Sequence, residues 1–173
     1  MIETQRLFLK PLDTTDDTDI VRWRNQKEII DCLFSSGGIT ISEHQNWFEN
    51  YLKSNNRIEF VICIKENSKK VGTIGLSNID NENRKAEYGI LLGETNEWGK
   101  GYAREASIAL IRYGFYEQNL QRIYLKVFSD NSTAIKLYRK LKFKEEGLLR
   151  NEIFKDGSFK DVIIMVLLRD EWE

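Results

Sequence analysis

Trp98-Gly99-Lys100-Gly101-Tyr102-Ala103-Arg104-Glu105-Ala106 follows an apolar run, Tyr88-Gly89-Ile90-Leu91-Leu92, and opens an amphipathic helix. Glycine lets a ligand come close to the backbone and tolerates left-handed turns. The first turn of a helix carries backbone N–H groups that have no partner within the helix. The positive end of the helix dipole sits at the same place, so the turn favours phosphate. Lys100 adds a formal positive charge. The stretch therefore reads as a strand-to-helix turn that holds a phosphorylated ligand, with Trp98, Gly99, Lys100, Gly101, Tyr102, Ala103 and Arg104 as its contact residues.

Two common phosphate loops fit poorly. A Walker loop needs Gly, four residues, then Gly-Lys-Ser/Thr. Here five residues separate Gly93 from Gly99, and Gly101 stands where the magnesium-binding hydroxyl should be. A dinucleotide fingerprint needs a small residue at its third glycine position. Arg104 occupies that position.

A third pattern fits better. Trp98-x-x-Gly101-x-Ala103 resembles the pyrophosphate loop of GNAT acetyltransferases, Gln/Arg-x-x-Gly-x-Gly/Ala, with Trp in the first place. Further on, Asn131-Ser132-Thr133-Ala134-Ile135-Lys136-Leu137-Tyr138 and Lys140-Leu141-Lys142-Phe143 resemble the second GNAT signature. That signature reads Asn-x-x-Ala-x-x-Leu-Tyr, then Lys-Leu-Gly-Phe, and here Lys142 replaces its glycine. Both signatures stand in the family's order. The resemblance spans nearly the whole chain and is looser before Glu59.

Bulk properties agree with an ordinary enzyme domain. The 173 residues make one domain, 1–173, and 41% apolar content supports a folded core. Net charge is −1, with Lys and Arg spread along the chain, so there is no basic field for nucleic acid. Cys32 and Cys63 lack metal-ligand spacing and read as two buried, reduced thiols. The segment Met1 to Arg6 has no signal-peptide core, and the longest apolar run, Val162 to Leu168, is too short to cross a bilayer. These features predict a cytoplasmic protein with no metal, membrane or nucleic-acid partner. They leave monomer and homodimer open.

Periodicity gives the elements. Strands are expected at Arg6 to Lys10, Glu59 to Ile64, Val71 to Ser77, Ala86 to Leu92 and Arg122 to Phe128. A hairpin follows, built from Ile153-Phe154 and Val162 to Leu168 around Asp156-Gly157. Helices are expected after Asp13 to Asp19, after Ser42 (capped by Ser42 with Gln45), from Gly101 to Glu117, and from Asn131 to Leu141. The result is an α+β class with one mixed, mostly antiparallel sheet and flanking helices. The GNAT resemblance adds that Ala86–Leu92 and Arg122–Phe128 splay apart and admit the pantetheine arm of acetyl-CoA.

Chemistry follows from the same resemblance. It implies an acetyl-CoA-dependent N-acetyltransferase that passes acetyl directly to a primary amine of a small molecule. It implies backbone donors at Leu91 or Leu92 for the thioester carbonyl, Asn131 on the cofactor, and Tyr138 as hydrogen-bond donor to the departing thiolate. An alkyl amine with pKa near ~10.4 is largely protonated at neutral pH, so a base is useful. Glu87 is the chosen candidate, ahead of Glu59, Asp80 and His44. Around Trp23-Arg24-Asn25 and Ile41 to Trp47 the chain resembles acetyltransferases of UDP-linked amino-sugars in pseudaminic acid synthesis. That likeness makes Arg24, His44 and Trp47 acceptor-binding candidates. Polyamine and protein N-terminal acetyltransferases are the alternative within the family. A non-catalytic acyl-CoA-binding module is the alternative outside it.

Overall fold

A computed structural model describes residues 1–172. The strands are β1 (Ile2–Glu3), β2 (Leu7–Pro11), β3 (Ile58–Ile64), β4 (Lys70–Asp80), β5 (Lys85–Leu92), β6 (Arg122–Phe128), β7 (Lys144–Lys155) and β8 (Ser158–Leu168). The helices are α1 (Asp17–Arg24), α2 (Lys27–Ile30), α3 (Ile41–Lys53), α4 (Tyr102–Arg112), α5 (Ser132–Lys140) and α6 (Arg169–Trp172). All eight strands form one sheet in the order β1-β2-β3-β4-β5-β6-β8-β7. Every pair is antiparallel except β5 with β6. This is the mixed, mostly antiparallel sheet with flanking helices that the sequence predicts.

Strand side chains alternate between two faces. Phe60, Ile62, Ile74, Leu76, Ala86 and Tyr88 pack against α4 and α5. Val61 and Cys63 turn the other way and pack with Ile20 and Trp23 of α1 and Phe48 of α3. The sheet is thus covered on both sides, and the candidate site lies where these layers meet an interruption in the sheet. That interruption is the β5–β6 pairing, which stops after Glu87↔Tyr124. Beyond it, Tyr88–Leu92 and Leu125–Phe128 diverge.

Several expectations need correction. The strand expected at Ile153 begins at Lys144, and its N-terminal part is almost wholly exposed, so it lacks the apolar alternation that marks a half-buried strand. Thr40, not Ser42, caps α3: Glu43 N donates to Thr40 Oγ1 at 3.1 Å, and Thr40 N donates to Glu43 Oε2 at 2.7 Å. The Gly101–Glu117 helix divides into α4 and a π-helical turn at Tyr113–Glu117. Cys63 is buried but Cys32 is exposed. Lys142 adopts φ 71° directly after α5, taking the left-handed position usually given to glycine.

Candidate active site

The glycine turn has the conformation its composition predicts. Gly99 has φ 78° and Gly101 has φ 84°, both left-handed, and Gly101 caps α4. A methyl at Gly99 would meet nothing within 4 Å, so its surface is open to a ligand. Arg6, at the start of β2, pins this turn from behind. Its Nη1 donates to Lys100 O at 2.9 Å, its Nε to Glu105 Oε2 at 2.7 Å, and its guanidinium lies 4.7 Å from the centre of the Tyr102 ring. Nothing local to Arg6 signals this role, because Arg6 and Glu105 meet only in the fold. Lys100 is not a free charge: it pairs with Glu97 at 2.7 Å, and Lys69 reaches the same carboxylate at 2.8 Å. The backbone amides and helix dipole therefore remain as the main phosphate-attracting features of the turn.

Register decides which amides of β5 are available. Gly93 N donates to Val71 O at 2.8 Å, and Thr73 faces Leu91. The alternation of an antiparallel ladder then turns the Leu91 amide to β4 and the Ile90 and Leu92 amides toward the diverging side. Trp98 agrees with this geometry, since its Nε1 donates to Leu92 O at 2.8 Å. Of the two candidate donors, Leu92 faces the notch and Leu91 does not.

Tyr138 projects from α5 beside the splay. Its ring meets Tyr88 of β5 edge-on at 5.8 Å and Phe143 at 6.1 Å. Burial pushes its hydroxyl up to about 12, with the Cys32 thiol close enough to add to the effect. Asn131 caps α5, its Oδ1 accepting from Ala134 N at 3.2 Å. That bond satisfies one of the exposed amides at the helix start.

On the opposite face of the sheet, a cavity of about 270 Å³ opens under α1 and α3. Its floor is a row of side chains and gaps: Glu59 of β3 pairs with Gly75 of β4, which pairs with Gly89 of β5. A methyl on Gly75 would stand 2.5 Å from Glu59 Oε2, so the carboxylate lies over the glycine. A methyl on Gly89 would meet nothing within 4 Å. Glycine is needed at the first because the Ile58 carbonyl and the Glu59 carboxylate both crowd it, and at the second it leaves the floor open. Burial raises the Glu59 pKa above the ordinary carboxylate range, against the pull of Arg57, whose Nε donates to Oε1 at 2.8 Å.

Arg24, His44 and Trp47, the acceptor-binding candidates of the sequence, all line this cavity. His44 is buried, with its Nε2 3.0 Å from Asp17 Oδ1, and its ring stacks on Trp47 at 5.6 Å. Trp47 stacks in turn on Tyr51 at 5.4 Å. Arg57 lies over Trp47 at 5.3 Å and joins the same wall. Sequence reasoning missed Arg57, because a charged residue at a strand start carries no periodic signal. Glu87 lies one row further along the floor, beside Ser77, where it accepts from Asn78 Nδ2 at 2.8 Å. It is not part of the cavity wall. Asp80 is farther away, engaged with Asn83 in a turn. The carboxylate that the fold brings to the cavity is Glu59.

Known proteins share the family and the fold. Residues 6–144 match the family described as acetyltransferase (GNAT) domain. An uncharacterized N-acetyltransferase p20 of Bacillus licheniformis is 36% identical, covering 98% of this chain and 96% of its own length. A spermidine N(1)-acetyltransferase of Vibrio cholerae is 30% identical, covering 96% of this chain and 95% of its own. A crystal structure of the Vibrio cholerae spermidine N-acetyltransferase with CoA and spermine superposes with a TM-score of 0.92 at 28% identity. It covers 98% of this chain and 99% of that one. The two Vibrio cholerae relatives are named for polyamines, and the amino-sugar likeness of the N-terminal half gains no support from any of the three.

Proposed function

The chain belongs to the GNAT acetyltransferase family and is an acetyl-CoA-dependent N-acetyltransferase; from that premise we propose that it passes acetyl directly to a primary amine seated under α1 and α3. One observation carries the proposal. The splayed edge of β5 has the glycine turn at its end and the cavity on the face beside it, lined in part by Gly89 and Ile90. Donor and acceptor can therefore meet at one strand without an acyl carrier between them. Neither Cys32 nor Cys63 is in the cavity wall.

Acetyl-CoA supplies a thioester, whose carbonyl carbon takes the amine nitrogen while its sulfur leaves. The amides of Gly99 to Ala103 and the start of α4 hold the pyrophosphate. The Leu92 N–H is aimed at developing negative charge on the carbonyl oxygen; a donor of this kind contributes on the order of 3 kcal/mol. Glu59 is the base. It faces the cavity beside Gly89, and its raised pKa lies nearer the working pH, as efficient proton transfer requires. Tyr138 donates a hydrogen bond to the leaving sulfur. Asn131 positions α5, and so Tyr138, and contributes to holding the cofactor.

The named relatives point to a polyamine as acceptor. The amino-sugar reading rests on the sequence likeness around Trp23-Arg24-Asn25 and Ile41 to Trp47, and Arg24, His44 and Trp47 of those stretches line the cavity. An amine panel with free-thiol detection tests the activity. It should contain spermidine, peptide N-termini, amino acids and UDP-linked amino-sugars. Thiol release that depends on one of these amines is expected. Tight acetyl-CoA binding with no amine consumed would instead make the chain an acyl-CoA-binding module.

A further inference from the structure

Arg24 stands in the cavity wall with its Nε buried and without a hydrogen-bond partner. A buried donor left unsatisfied is costly, so such a group needs an explanation. Burial and the like charge of Arg57 both lower the Arg24 pKa, yet a guanidinium stays protonated in proteins. Two guanidiniums thus share this small space.

The rest of the wall does not balance them. Its other titratable groups are Glu59 and His44. Glu59 is already paired with Arg57, and the Nε2 of His44 is engaged by Asp17. A polycation entering here would meet a net excess of positive charge. An anion would meet a planar, partly desolvated fork of donors, the geometry that suits carboxylate and phosphate.

We propose that the acceptor is an amine that also bears an acid group, carboxylate or phosphate, which docks on Arg24 while the amine lies over Gly89. The inference rests on the cavity being the acceptor site. Gly89 and Arg24 line the same space of about 270 Å³, so one small molecule can reach both. Typical ligand pockets enclose ~300–1,000 Å³, so this one suits the reactive end of an acceptor. A nucleotide-linked amino-sugar and an amino acid share the required chemistry; a linear polyamine does not.

Two readouts test this. Calorimetry with inorganic phosphate and with propionate, on the wild type and on Arg24→Gln, reads the anion site without any turnover. Free-thiol kinetics then compare amino acids, amino-sugar phosphates and spermidine. Millimolar-range binding of one anion, lost in Arg24→Gln while acetyl-CoA affinity is kept, is expected. Arg24→Gln should raise the KM of the matching anionic amine at least tenfold and leave the KM of acetyl-CoA alone. Arg24→Lys should recover part of that loss. The anion that binds separates carboxylate from phosphate acceptors. If neither anion binds, or if spermidine surpasses every anionic amine in kcat/KM, the proposal falls and the acetyltransferase reading stands. If an anion binds through Arg24 but no amine is consumed, the anion site stands and the transfer reading falls.

Discussion

At the scale of single residues, burial decides what Tyr138 and Glu59 can do. Full proton transfer from a phenol held at about 12 to a thiolate near ~8.5 runs roughly 5 kcal/mol uphill. Under the proposed mechanism Tyr138 serves as a hydrogen-bond donor to the departing sulfur rather than as a full acid, because burial keeps it protonated. Tyr138→Phe preserves the ring contacts with Tyr88 and Phe143 and removes only the hydroxyl. A hydrogen bond to a charged group contributes about 1.5–3 kcal/mol, so kcat should fall roughly ten- to hundredfold, with acetyl-CoA affinity unchanged. Single-turnover kinetics would read this directly, and an unaltered rate would reduce Tyr138 to a packing residue. For Glu59 the sign runs through its ionised form. A base must be deprotonated, and burial raises its pKa, so activity should fall as pH drops through a value above the usual ~4.3. Glu59→Gln should abolish that acid limb of the kcat/KM profile and Glu87→Gln should leave it. The opposite pattern would return the role to Glu87.

At the scale of elements, the β5–α4 connection was legible because its chemistry is local. Glycine is rare enough, and left-handed turns demanding enough, that Gly99 and Gly101 announce a conformation without knowledge of the fold. Asn131 and Tyr138 stand out only through their resemblance to the second GNAT signature, since helix spacing alone reads Tyr138 as a core aromatic and Asn131 as a cap. What stayed hidden depends on distant partners. Arg6 supports the glycine turn only because β2 runs beside the start of α4, and Arg57 joins the cavity wall only because α3 lays Trp47 against it. Glu59 ranked below Glu87 because sequence does not reveal that Gly75 leaves room for its carboxylate. The start of β7 was missed because an exposed edge strand needs no apolar alternation. Gly101→Val tests the turn. A branched side chain at φ 84° is strained, and a Cβ there would stand 3.3 Å from Arg6 Nη2. Acetyl-CoA affinity should drop at least tenfold by calorimetry while circular dichroism keeps the α+β spectrum. Undiminished affinity would move the pyrophosphate elsewhere.

At the scale of the whole molecule, the site is a meeting of separately stabilised parts. The glycine turn hangs on β2 through Arg6, the cavity wall hangs on α1 and α3, and the segment after α2 is held by the C-terminal hairpin. Lys155, only 2% exposed, donates to Leu33 O at 2.5 Å and also to Ile30 O. Phe34 meets Phe128 edge-on at 4.9 Å at the end of β6. Between these attachments the β5–β6 pairing ends at Glu87 and Tyr124. The divergence also leaves backbone groups of Tyr88–Leu92 without a neighbouring β6 strand. A row of unpaired amides and carbonyls is a template for another chain, and proteins normally conceal it at the rim of a sheet. Here it lies in the interior, where the rim's usual defences are absent. Occupancy of the notch should therefore act as a preservative: warmed stocks saturated with CoA should cloud more slowly in light scattering than bare ones, by more than the gain in melting temperature alone accounts for.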